Sequence, residues 1–222
     1  MANSMREVEW GELSQACAFL GNSLLAPMAQ TANVGADPAF WEAFPDFGDA
    51  RVTAACEACA QAARGLARRA QESGRDAVEL ASTEFTRLFI GPPSPAAAPW
   101  ESFYRSQSDN PVGFGEATHQ MRELLRAAGL EVRNENNQYA DHIGLELLFL
   151  SELARRRAQG AQAAADGSCT DEAILAFVRE HPLGWISSLR AAVDAAFPGG
   201  YVSGVLGVAA SLLEMLEGRL AA

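Results

Sequence analysis

Three acidic side chains and a histidine stand in two short stretches where chemistry could occur. Glu101 lies beside Ser102, and Asp141-His142 is followed one helical turn later by Glu146. A carboxylate accepts two parallel hydrogen bonds from a guanidinium, so Glu101, Asp141 and Glu146 are candidates for holding the arginines of a partner. Asp141 and His142 with Ser102 also supply the residue types of a hydrolase relay, but no Gly-x-Ser-x-Gly elbow accompanies them and adjacent helical residues point in different directions. His142 and Glu146 have the spacing to share a metal ion. A structural site needs more ligands than two, and a hydrogen bond between the pair is the plainer expectation. Asp141, the first polar residue of its helix, is equally suited to cap it. Neither catalysis nor a bound metal or cofactor is expected.

The Glu101 stretch belongs to a stiff loop. Val78, Ala81, Phe85, Leu88 and Phe89 recur at helical spacing, and Gly91-Pro92 ends that helix. Pro92, Pro93, Pro95 and Pro99 then restrict the chain to extended or turn geometry, so little entropy is lost when the loop receives a ligand. Trp100 and Tyr104 stand on it, either presenting their rings to a partner's apolar segment or packing inward to pin the loop.

These stretches must be positioned by helices. From Trp10 to Leu24, Asp49 to Glu72, Phe114 to Ala128, Tyr139 to Leu150, Ile174 to Val178, Ile186 to Phe197 and Val202 to Leu216, apolar residues recur with the 3.6-residue period. Asp37-Pro38 and His181-Pro182 place proline at a helix start, and Gly74 and Gly129 mark helix ends. The fold class is all-α, a single-domain helical bundle over residues 1–222, with a possible hinge at 131–140 and a small polar linker at 159–168. Cys56 and Cys59 form a Cys-x-x-Cys spacing inside an alanine-rich helical pattern, where buried thiols are expected, as for Cys17 and Cys169.

Bulk properties narrow the function classes. All 17 basic side chains are arginines, so phosphate loops, Schiff bases and pyridoxal phosphate sites that need a lysine amine are closed. A net charge of -11 argues against nucleic acid and favours cationic partners. The first residues, Met1 to Glu9, lack a secretory pattern and no apolar run is read as a membrane span, so a cytoplasmic protein without membrane insertion is expected.

Phe85-Thr-Arg-Leu-Phe-Ile-Gly-Pro92 with Pro99-Trp-Glu-Ser-Phe-Tyr104, and Asp141-His-Ile-Gly-Leu-Glu-Leu-Leu-Phe-Leu150, together resemble the TorD/DmsD/NarJ family of redox-enzyme maturation chaperones. The likeness extends more loosely through His181-Pro-Leu-Gly-Trp185 and the last helix. It implies a non-catalytic cytoplasmic chaperone that binds the twin-arginine signal peptide, and often the body, of a molybdopterin oxidoreductase catalytic subunit, and withholds it from export until its cofactor is loaded. It further implies a monomer or a helix-exchanged dimer, and a peptide site comprising Leu88, Phe89, Pro99, Trp100, Glu101, Ser102, Tyr104, Asp141, His142 and Glu146. The chain departs from the family in having Ala140 before the Asp-His pair and Ala98 before Pro99, both positions where proline is frequent. The rival expectations are a nucleotide-binding switch or hydrolase using Asp141 and His142, and a structural subunit of a larger complex.

Overall fold

The computed structural model describes residues 5–106, 113–131, 138–160 and 169–222. The expected linker falls mainly, and the expected hinge partly, outside them. Among the described residues every regular element is helical: α1 (Glu7–Leu25), α2 (Pro38–Glu42), α3 (Ala50–Ser73), α4 (Ala77–Phe89), α5 (Glu101–Arg105), α6 (Glu116–Ala127), α7 (Ile143–Ala158), α8 (Asp171–Glu180), α9 (Pro182–Ala196) and α10 (Tyr201–Leu220), with two short 3-10 turns before α2. An all-α fold is therefore observed. Local signals set several boundaries. Asp49 and Asp76 accept hydrogen bonds from backbone N–H groups in the first turns of α3 and α4, and Gly74 leaves α3 at φ +66°.

Two helix pairs make the most extensive interfaces, α1 with α7 and α3 with α10. In the first, Gly21 and Gly144 face one another so closely that a Cβ on Gly144 would stand 2.7 Å from the Gly21 carbonyl oxygen. Reciprocal bonds fix the register, Ser14 Oγ donating to the Ser151 carbonyl at 2.8 Å and Ser151 Oγ to that of Ser14 at 2.7 Å. In the second pair, Gly204 lets α10 approach Cys59 of α3. The last helix also touches α1, α4, α8 and α9, which makes it the hub of one continuous buried cluster. Contrary to the sequence expectation, α10 is long and apolar enough to cross a membrane, yet 67% of its apolar window is buried within the fold.

The N-terminus of α10 is capped from another element. Gly200 has no side chain to offer, and the carboxylate of Glu84 on α4 accepts the Val202 N–H at 2.8 Å instead. A Cβ at position 200 would run into that carboxylate, so glycine is what lets the cap approach.

Candidate functional site

The proline-rich loop and the start of α7 are joined by backbone. Trp100 and His142 form an isolated antiparallel bridge, with the Glu101 N–H donating to the Asp141 carbonyl and the Ile143 N–H to the Pro99 carbonyl, each at 3.0 Å. The loop is drawn in from its other end as well, because the Ala97 N–H donates to the Leu88 carbonyl at 2.9 Å. Two segments some forty positions apart in the chain thereby become one surface.

Side chains lock this junction. The buried carboxylate of Asp141 accepts from the Ser102 N–H at 2.9 Å and from Thr118 Oγ1 at 2.8 Å. It thus caps α5 and ties down α6, rather than capping its own helix. That role falls to His142, whose Nδ1 accepts the Gly144 N–H at 3.0 Å. Burial pushes the His142 imidazole down to about 3, which keeps Nδ1 free of a proton and able to accept. The hydrolase expectation fails on the same geometry: Ser102 meets Asp141 through its backbone, and His142 turns its Nδ1 to a helix end.

Beneath the junction lies a pair of buried acids. Glu101 places Oε2 2.9 Å from His181 Nδ1 and Oε1 2.9 Å from Arg105 Nε. Glu146 accepts from Trp185 Nε1 at 3.0 Å, and its expected side-chain bond to His142 is replaced by this one. Burial, reinforced by the neighbouring Glu101 carboxylate, drives the Glu146 carboxyl well above the usual carboxylate range. The ligating atoms of Glu101, Glu146 and His181 lie within 4.8 Å of one another, a grouping that resembles a metal site. Arg105 and His181 already meet the two oxygens of Glu101, however, and Trp185 meets Glu146, so each member of the grouping has a partner within the fold.

Ten residues were expected to form the site, and the structure gathers them into one region with most side chains turned inward. Leu88 and Phe89 are in the core, Pro99, Glu101, Ser102, Asp141, His142 and Glu146 are buried, and Tyr104 stacks on Trp185 with ring centroids 5.5 Å apart. The three carboxylates thus have internal partners in place of a ligand's guanidinium. Trp100 is half-buried and donates through Nε1 to Gln138 Oε1 at 3.2 Å. Its ring meets Tyr139 at 5.6 Å, and Tyr139 meets Phe114 at 5.5 Å. Phe114 and Tyr139 are exposed, completing an aromatic ledge that Gly113 permits, since a Cβ there would press on the Trp100 ring at 2.5 Å. Below the ledge a cavity of about 360 Å³ runs between Ser102, Arg105, Phe114 and Gln120. Sequence reasoning assigned Phe114 to a helix face and gave Tyr139, Thr118, His181 and Trp185 no part in the site. The nearest signal in the sequence is the His181–Trp185 stretch, whose residues carry part of the family resemblance.

Comparison with known proteins follows the same segments. A family model for the nitrate reductase delta subunit matches residues 53–191, which include the loop, the Asp141-His142 pair and the His181–Trp185 stretch. The chain belongs to that family. Among similar proteins are the chaperone protein TorD of Shewanella sp. (strain MR-4), 29% identical over 119 residues, covering 50% of this chain and 56% of the relative. TorD of Vibrio cholerae serotype O1 (strain M66-2) is 34% identical over 109 residues, 49% of this chain and 47% of the relative. The Tat proofreading chaperone DmsD of Salmonella typhi is 35% identical over 68 residues, 31% and 32% of the two chains. The chain spans about half the length of the TorD relatives it matches.

Proposed function

We propose that this family member is a cytoplasmic, non-catalytic chaperone that binds the twin-arginine signal peptide, and the body, of a molybdopterin oxidoreductase subunit, withholding it from export until its cofactor is loaded. The observation that carries the reading is the junction of the two family segments at the Trp100–His142 bridge, with the Trp100, Tyr139 and Phe114 rings grouped beside a cavity. Aromatic rings suit the apolar stretch of a leader, being large, rigid and cheap in entropy to immobilise. Leu88, Phe89, Pro99 and Tyr104 belong to the packed segments that carry the loop. The inward carboxylates Glu101, Asp141 and Glu146, with Ser102 and His142, hold the junction in shape. The leader's arginines are then met by exposed acids, and the net charge of -11 steers them in. Calorimetry of the full chain against a synthetic twin-arginine leader tests the proposal: binding in the micromolar range that weakens with salt is expected, whereas no heat from a folded protein at high concentration overturns it. Trp100→Ala should weaken binding by about tenfold while the fold survives.

A further inference from the structure

Gln120 lines both the cavity under the aromatic ledge and a second, larger depression of about 470 Å³ between α6 and α8. Helix α6 turns Gln120, Glu123, Leu124 and Ala127 toward it, positions i, i+3, i+4 and i+7, which form one helical face. Helix α8 answers with Ala173, Ala176, Phe177 and Glu180, the same spacing. The floor is apolar, with three alanines leaving the room that larger side chains would fill.

Its rim is acidic. Many exposed or half-exposed acids here have an arginine, as Glu42 has Arg64, Glu79 has Arg75, Glu152 has Arg155, Asp171 has Arg157 and Glu217 has Arg179. Glu123 and Glu180, both exposed, enter no ion pair with any described residue. Nor do Glu57, Glu72 and Glu172, but of these five only Glu123 and Glu180 flank the apolar trough between α6 and α8. Arg105, the cation nearest by contact, bonds the Glu180 carbonyl and lies against Glu101, so its charge is already engaged. An apolar trough with two uncompensated carboxylates on its edge complements an apolar segment that carries cations.

We infer that the α6–α8 trough, reached from the aromatic ledge across Gln120, seats a twin-arginine leader, its apolar stretch along Leu124, Ala127, Ala176 and Phe177 and its guanidinium groups on Glu123 and Glu180. This deepens the proposed function and rests on it. The arginine partners are thereby moved from the buried acids to exposed ones, where pairing requires no rearrangement of the core and guanidinium forks reach both oxygens of a carboxylate.

The full chain, a Glu123→Arg/Glu180→Arg double variant and an Ala176→Trp variant should each be titrated calorimetrically with a synthetic peptide of two arginines followed by an apolar stretch, and with its Ala-Ala counterpart. The wild type should prefer the arginine peptide. Charge reversal should weaken that binding by about tenfold or more and erase the preference. Ala176→Trp should weaken both peptides by filling the trough. All three substitutions are at exposed positions, so thermal midpoints should stay close to wild type, and the double variant decides the matter if the tryptophan variant does not fold. Unchanged affinity in folded variants overturns the trough while leaving leader binding intact. No heat from the wild type overturns leader binding itself. A change in sedimentation with peptide affinity unaltered assigns the trough to a second copy of the chain and overturns the inference too.

Discussion

Glu101 and Glu146 have almost the same burial and different partners. Arg105 and His181 face Glu101, while Glu146 meets an indole N–H and another acid. Substitution by glutamine separates the two. Glu146→Gln keeps the shape and a neutral group that can donate to Glu101, so it should cost within about 1 kcal/mol. Glu101→Gln leaves Arg105 without its buried counter-charge and should cost about 3 kcal/mol in denaturant unfolding. A loss at Glu146→Gln as large as that at Glu101→Gln would overturn the reading that a neutral group suffices at position 146. His142 adds a pH signature. From its ordinary 6.5 down to about 3, the unfolded chain binds a proton at this position and the folded chain does not, so stability falls as pH drops through that window. Glu146 acts in the opposite sense, since above pH 4.5 the unfolded chain releases a proton that the folded chain retains, and stability declines as pH rises. His142→Asn keeps an acceptor for the Gly144 N–H and removes the titration. Its unfolding midpoint should vary less than wild type between about pH 4 and 6.5; an identical slope would place the acid sensitivity elsewhere.

At the level of elements, the α1–α7 crossing depends on two glycines having no side chains. Gly144→Ala should improve intrinsic helix propensity by about 1 kcal/mol, yet the new methyl would stand 2.7 Å from the Gly21 carbonyl and 2.9 Å from Leu25 Cβ. Overpacking should win, with a net loss of about 1–3 kcal/mol by chemical denaturation, and a stabilised variant would mean that the helices separate freely. Such close approach cannot be read from periodicity, whereas helix ends often can. Asp49, Gly74, Gly129 and Pro182 act on their own neighbours in the chain, so α3, the end of α6 and the start of α9 were legible. The five residues of α5 were not, because the acceptor that caps them is Asp141, forty positions away. The same distance explains what was missed at the site. Residue type and segment brought Glu101, Asp141 and Glu146 into one region, but which way each carboxylate points is decided by Thr118, His181 and Trp185 on other helices.

Over the whole molecule, four thiols are distributed through the layers of the fold. Cys17 sits in α1, Cys56 and Cys59 in α3 against α10, and Cys169 just before α8, all of them buried. Burial also suppresses the thiolates of three of them, pushing Cys17 up to about 12, Cys56 to about 11 and Cys59 well above the usual thiol range. A buried thiol reacts only once reagent reaches it, and each of the four is reached when its own part of the fold opens. Alkylation followed by peptide mass analysis should therefore time the loosening of the N-terminal helix, the α3–α10 layer and the α8 edge separately in the wild-type chain, without any inserted label. If all four sites modify at one rate, the molecule opens as a unit; if α8 leads, its clock offers a direct way to watch a partner slow that edge down.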